Sequence, residues 1–83
     1  MVWHIRWSPT AENQLKKISK SDKKIAQQIV TKLEEITYDP FLFTEKLQGF
    51  ELRKLRIRDY RVILNLEEQK ITIFVVQSSN GEQ

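Results

Sequence analysis

Polar and apolar residues change rhythm several times along the chain, and each change marks an element. Val2-Trp3-His4-Ile5-Arg6-Trp7 alternates, with Trp3, Ile5 and Trp7 on one parity and His4 and Arg6 on the other, the period-2 signature of a strand with one buried face. Ser8 and Pro9 follow, one suited to cap a helix and the other to occupy its first turn, and Ala11, Leu15 and Ile18 recur at i, i+4 and i+7. This spacing predicts an amphipathic helix over about residues 9–19. Ser21 restarts the helical rhythm as a second cap, and Ile25, Ala26, Ile29, Val30, Leu33 and Ile36 form the stripe of a longer helix. That helix must end near Tyr38, because Asp39 precedes Pro40 and a residue before proline is pushed out of the α region. Residues 41–49 read as a connector of unusual apolar content, its aromatics expected against the core and Gly49 turning the chain.

Period 2 then returns three times. Leu52–Arg58, Tyr60–Leu66 and Ile71–Gln77 read as strands, with Arg58-Asp59 and Glu67–Lys70 as the hairpin connections. Ser78–Gln83 is polar and is expected to be a loose tail. The order β-α-α-β-β-β over residues 1–83 predicts a single α+β domain of two layers, an N-terminal strand and a helical hairpin packed on an antiparallel sheet. A two-residue connection also sets a register: Ile57 faces Tyr60, Leu55 faces Val62, and Arg56 lies opposite Arg61. Continued outward, that register gives the sheet's other face Lys54, Arg56, Arg61, Ile63, Asn65, Thr72, Phe74 and Val76. Its apolar half is either a seat for another chain, through Ile63, Phe74 and Val76, or is covered by the C-terminal tail.

Composition narrows the chemistry. The chain has 14 Lys and Arg against 11 Asp and Glu, a net charge of only +3, so distribution matters more than sum. Five of the cations, Arg53, Lys54, Arg56, Arg58 and Arg61, crowd into the first hairpin, the footprint a polyanion would seek. Like charges directly across a strand pair are destabilising unless an anion lies between them, which makes Arg56 and Arg61 candidates for phosphate binding. A solvated Lys/Arg-rich strand face is the alternative. Cysteine is absent, so disulfides, thiolate nucleophiles and Cys-ligated zinc are excluded. His4 is the single histidine, too few for a zinc centre, and neither a metal nor a cofactor is expected. No apolar run is long enough to span a bilayer or to serve as a secretory signal, so a cytoplasmic protein without membrane contact is expected.

Several stretches together resemble the RelE/ParE superfamily, the toxins of bacterial and archaeal toxin-antitoxin pairs. They are Trp7-Ser8, Asp22-Lys23-Lys24-Ile25, Asp39-Pro40-Phe41, Lys46-Leu47-Gln48-Gly49 and, most specific, Arg56-Ile57-Arg58-Asp59-Tyr60-Arg61-Val62-Ile63. In the last, Arg58 stands where the superfamily usually has glycine. The resemblance implies a ribosome-dependent mRNA endonuclease that inhibits translation, with a cognate antitoxin and the mRNA-loaded ribosome as partners. Such members work without metal, a ribose 2′-OH attacking the adjacent phosphate.

By position, Arg61 resembles the strand arginine on the scissile phosphate, and Arg56 with Lys54 the neighbouring basic pair. Glu45 resembles the glutamate base of YoeB-type members. Arg53 and Arg58 are further candidates for RNA phosphate, and Ile63, Phe74 and Val76 for antitoxin contact. The superfamily usually closes on an arginine, histidine or tyrosine, and Gln77–Gln83 contains none. An attenuated endoribonuclease is therefore expected. The alternative is a non-catalytic member, either a ParE-like toxin that binds DNA gyrase or a degenerate antitoxin-binding homologue.

Overall fold

A computed structural model describes residues 2–49 and 51–78. Strand β1 (His4–Trp7) leads into helices α1 (Pro9–Ser21) and α2 (Lys23–Glu35). A 3-10 turn at Ile36–Tyr38 and a short helix α3 (Pro40–Phe43) follow. Strands β2 (Glu45–Lys46), β3 (Arg53–Ile57), β4 (Tyr60–Glu67) and β5 (Lys70–Ser78) complete the chain. The expected α+β class and element order hold. The sheet, however, is mixed and has five strands in the order β1-β5-β4-β3-β2. β1 runs parallel to β5, placing Ile5 against Ile71 and Trp7 against Ile73, while every other pair is antiparallel.

Local chemistry explains the helix ends. The Ser8 hydroxyl accepts from the Ala11 N–H at 3.0 Å, and Pro9 occupies the first turn, where its missing N–H costs nothing. The second cap is Asp22 and not Ser21: the Asp22 carboxylate accepts from the Ile25 N–H at 3.2 Å. Ser21 instead closes α1, its hydroxyl donating to the Ile18 carbonyl at 3.2 Å. Asp39 ends the helical run before Pro40 as expected. The following stretch is not a plain connector, since Pro40 starts a further turn of helix and Glu45–Lys46 joins the sheet edge. Gly49 does turn the chain, at φ 82, and the Leu47 N–H closes that loop on the Leu52 carbonyl at 2.9 Å.

The core lies between the helical hairpin and one sheet face. Ile29, Leu33 and Ile36 from the helical side meet Val62, Leu64, Ile71 and Ile73 from the sheet, all fully buried. Each such side chain contributes roughly 1.5–3 kcal/mol relative to exposure. Trp3 and Trp7 pack against this cluster from its rim. The apolar side chains of α3 do not join it: Phe41, Leu42 and Phe43 are exposed, as is Tyr38 before them. Phe41 meets Trp3 edge-on, with ring centroids 5.7 Å apart, and the Arg53 guanidinium lies over its other side. Phe43 lies under the Lys32 ammonium. Among the described residues no helix is long and apolar enough to cross a membrane.

Candidate functional site: the open face of the sheet

The helices cover one face of the sheet and leave the other open. β3 and β4 pair in the register expected from the hairpin, Ile57 with Tyr60, Leu55 with Val62 and Arg56 with Arg61. Leu55 and Val62 are therefore buried under the helices, and Arg56 and Arg61 project together from the open side. Across β5, Arg61 faces Gln77. The Arg61 Nε is buried and has no hydrogen-bond partner among the described residues. A buried donor left unpaired costs about 1–3 kcal/mol, and an anion seated between Arg56 and Arg61 would supply the missing acceptor while relieving the cross-strand repulsion.

Glu45 and Lys54 reach the same face through the short edge strand. β2 pairs Glu45 with Lys54, and the Glu45 carboxylate lies 3.8 Å from the Lys54 ammonium. From Glu45 to Arg61 is two strands across and two residues along, about 12 Å between backbones at ordinary sheet spacings.

Arg53 and Arg58 stand elsewhere. Arg53 shares the parity of Leu55 and is held on the helical side: its Nε donates to the Thr44 hydroxyl at 2.7 Å and its guanidinium to the Thr44 carbonyl at 2.9 Å, while the group also covers Phe41. Its place as a phosphate ligand is corrected to that of a clamp on the segment after α3. Arg58 sits in the hairpin turn at φ 53. It borders a cleft of about 330 Å³ with Lys24, Gln28 and Tyr60, between α2 and the hairpin tip.

A β-bulge rearranges the apolar half. Ile63 pairs with Val75 but Leu64 pairs with Ile73, so Phe74 is the extra residue on β5. An extra residue reverses the alternation beyond it. Val76, expected on the open face, is therefore in the core at 2% exposure, opposite Val62, and Val75 takes the open-face position beside Ile63. Phe74 remains outward, 38% exposed. Ser8 and Gln14 hold the bulge from the helical side: the Ser8 hydroxyl donates to the Phe74 carbonyl at 3.0 Å, and the Val76 N–H donates to Gln14 Oε1 at 2.7 Å. Sequence reading missed Val75 and Gln77 on this face. The sequence carries no signal for the change, since residues 73–76 are all apolar and either Val75 or Val76 could serve as the inward position. Ser78, placed in the tail by its polarity, is the last residue of β5, and the rest of that expected tail lies outside the described residues.

Residues 5–80 match the family model described as the ParE toxin of type II toxin-antitoxin system, parDE. No curated protein matches the chain. Among solved structures, the RelBE2 toxin-antitoxin complex from Mycobacterium tuberculosis superposes with a TM-score of 0.84 at 17% identity, over 94% of this chain and 99% of that one. A mutant of the E. coli toxin RelE in its free state gives 0.81 at 18% identity, over 99% and 88%. The chromosomal ParDE system of P. aeruginosa gives 0.79 at 13% identity, over 93% and 96%. At these identities the likeness to solved structures is one of fold.

Proposed function

The chain belongs to the ParE toxin family of type II toxin-antitoxin systems, within the RelE/ParE superfamily, and on that premise we propose that it acts as an endonuclease on ribosome-bound mRNA. The observation that carries this reading is the unpartnered Arg61 Nε, buried between Arg56 and Gln77 on an otherwise solvated face. Two arginines directly opposed across a strand pair repel unless an anion lies between them, and a phosphate diester is an anion that suits such a pair.

In the proposed reaction Glu45 takes the proton of a ribose 2′-OH. The freed oxygen attacks the adjacent phosphorus, and the 5′-oxygen of the next nucleotide leaves and takes a proton from solvent water, giving a cyclic phosphate and a 5′-OH. Arg61 and Arg56 hold the charge that builds on the phosphorane oxygens. Lys54 lies beside Glu45, which keeps the carboxylate on the open face and adds a third cation to the RNA path. Positioning by the ribosome supplies much of the rest, since effective molarities reach about 10⁵–10⁸ M when reacting groups are aligned.

Antitoxin control fits the same face. The M. tuberculosis relative was crystallised as a toxin-antitoxin complex, and an archaeal RelE from Pyrococcus horikoshii was crystallised with RelB. An antitoxin segment lying over Ile63, Val75 and Phe74 would mask Arg56 and Arg61 with its acidic residues.

The test is primer extension on mRNA from purified ribosomes incubated with wild type or Arg61→Ala at equal occupancy. Cleavage in the codon frame by wild type, reduced about 10²–10³-fold in Arg61→Ala, is expected, as for loss of one positioned donor. No cleavage by wild type would sink the nuclease reading, and equal cleavage by the two proteins would remove Arg61 from it. DNA damage signalling on expression, without mRNA cuts, would then favour the gyrase-directed alternative, for which the ParE description of the matching family is the supporting observation.

A further inference from the structure

The cleft of about 330 Å³ between α2 and the hairpin tip lies on the helical side of the sheet. Lys24 and Gln28 wall it from the helix, and Arg58, Asp59 and Tyr60 from the hairpin. Tyr60 brings a half-buried ring that packs on the core. Gln28 is half-buried, and its Oε1 is shut off from solvent with no donor among the described residues. The last side-chain torsion of glutamine is soft, so a small rotation turns this acceptor to the cleft. Lys24 and Arg58 are exposed and form no ion pair among the described residues. Two carboxylates also border the cleft, of which Asp22 is committed to capping α2 through the Ile25 N–H and Asp59 stands at the tip. They do not cancel the charge at this end of the molecule. Among the described residues Lys20, Lys23, Lys24, Arg56, Arg58 and Arg61 gather around the α1–α2 turn and the hairpin, against Asp22 and Asp59 alone.

We infer that this cleft is a second RNA subsite, which takes a nucleotide flanking the one held by Arg56 and Arg61. Its phosphate lies on Lys24 and Arg58, its base against Tyr60, and a base N–H or the ribose 2′-OH donates to Gln28 Oε1. The inference rests on the proposed reading of the arginine pair as an RNA site and extends the path of that RNA. Cations alone do not select the occupant. A buried acceptor without a donor is costly, and an acidic side chain brings none, so an acidic peptide would engage the cations and leave ring and amide unused. A nucleotide uses all three: single strands are held by cations on the backbone and aromatic rings on the bases, with side-chain amides reading base edges or the 2′-OH. Position agrees with chemistry. Ile57 and Tyr60 are one residue along the strands from Arg56 and Arg61, about 3.4 Å, and face the other side of the sheet. A strand crossing the hairpin tip therefore meets both sites, with Arg58 at the tip between them.

Fluorescence anisotropy at low salt measures binding of a labelled single-stranded oligoribonucleotide, and of DNA of matching sequence, to wild type, Arg61→Ala, Gln28→Leu and the double variant Lys24→Ala/Arg58→Gly. Glycine suits the backbone at Arg58 and leucine has no acceptor to leave unpaired, so both cleft variants keep the fold, with thermal unfolding as the check. The double variant is expected to lose about tenfold or more in RNA affinity and to show a shallower salt dependence, as for lost phosphate contacts. Gln28→Leu is expected to lose about fivefold, as for one hydrogen bond, at an unchanged or higher unfolding midpoint, which a merely structural role would not give. An equal loss for DNA places the donor on the base, and a loss for RNA alone places it at the 2′-OH. Either cleft variant binding RNA within twofold of wild type, while Arg61→Ala is weakened, would overturn the subsite and leave the arginine pair standing. Losses in the cleft variants with none in Arg61→Ala would keep the cleft and remove the arginine pair from the RNA path. Polyglutamate that binds wild type more tightly than RNA does, and is released by the double variant, would give the cleft to an acidic peptide instead.

Discussion

Arg58 occupies a backbone position that suits glycine. Its φ of 53 lies in the left-handed region, which costs a residue with a Cβ about 1–2 kcal/mol. The glycine that the sequence resemblance leads one to expect at this position would adopt that backbone without the Cβ penalty. Arg58→Gly removes the strain but also gives the unfolded chain more freedom, an opposing effect of about 0.4–1 kcal/mol. A net gain of about 0.5–1 kcal/mol is expected, read as a higher urea midpoint at constant slope. An unchanged or lower midpoint would mean that the arginine's contacts at the hairpin tip outweigh its strain. Arg53 teaches a related point. It belongs to the same basic run, yet Thr44 and Phe41 hold it on the helical side of the sheet. Parity along β3 already separated it from Lys54 and Arg56; counting charges without regard to face obscured that separation.

Among the elements, β5 shows most clearly what a one-dimensional pattern reveals and conceals. The hairpin register of β3 and β4 was legible because a two-residue connection leaves little freedom in pairing, and the helices were legible from their stripes and caps. The parallel pairing of β1 with β5 was not, since no short connection joins those strands and alternation carries no information about distant partners. The bulge was not legible, because residues 73–76 are all apolar; the structure shows it held by the Ser8 hydroxyl on the Phe74 carbonyl and by Gln14, which accepts from the Val76 N–H. Gln14→Leu leaves that part-buried N–H unpaired and is expected to cost about 1–3 kcal/mol. Gln14→Glu keeps an acceptor and should cost less. The pair is compared by thermal unfolding, with amide exchange at Val76 as the local readout. A leucine variant as stable as wild type, with Val76 still protected, would show that the bulge needs no support from α1. The stretch after Pro40 was misplaced for a different reason. Its aromatics are apolar enough for a core, but α3 and the sheet edge hold them outside it, with Phe41 53% and Phe43 39% exposed.

At the scale of the molecule, the sheet divides stability from function. The helical face holds the buried cluster, and the open face holds groups whose arrangement opposes folding: Arg56 against Arg61, and a buried Nε without a hydrogen-bond partner among the described residues. A sequence chosen for stability alone would not keep these, and proteins commonly give up stability at sites that bind. Arg56→Glu converts the cross-strand repulsion into an attraction, each worth about 0.2–1 kcal/mol. The variant is expected to be more stable than wild type by about 0.5–1 kcal/mol in phosphate-free, low-salt buffer, and inactive on ribosome-bound mRNA. Inorganic phosphate should reverse the order. A ligand that binds only the folded state adds about 2.7 kcal/mol at a hundredfold excess over its dissociation constant, so wild type gains stability as phosphate is added while Arg56→Glu stays flat. Thermal unfolding of both proteins across a phosphate titration, repeated with chloride at matched ionic strength to separate binding from screening, decides the matter. If Arg56→Glu is the less stable protein without phosphate, or both proteins respond alike to it, the arginine pair is an ordinary solvated strand face and the phosphate site must be sought elsewhere.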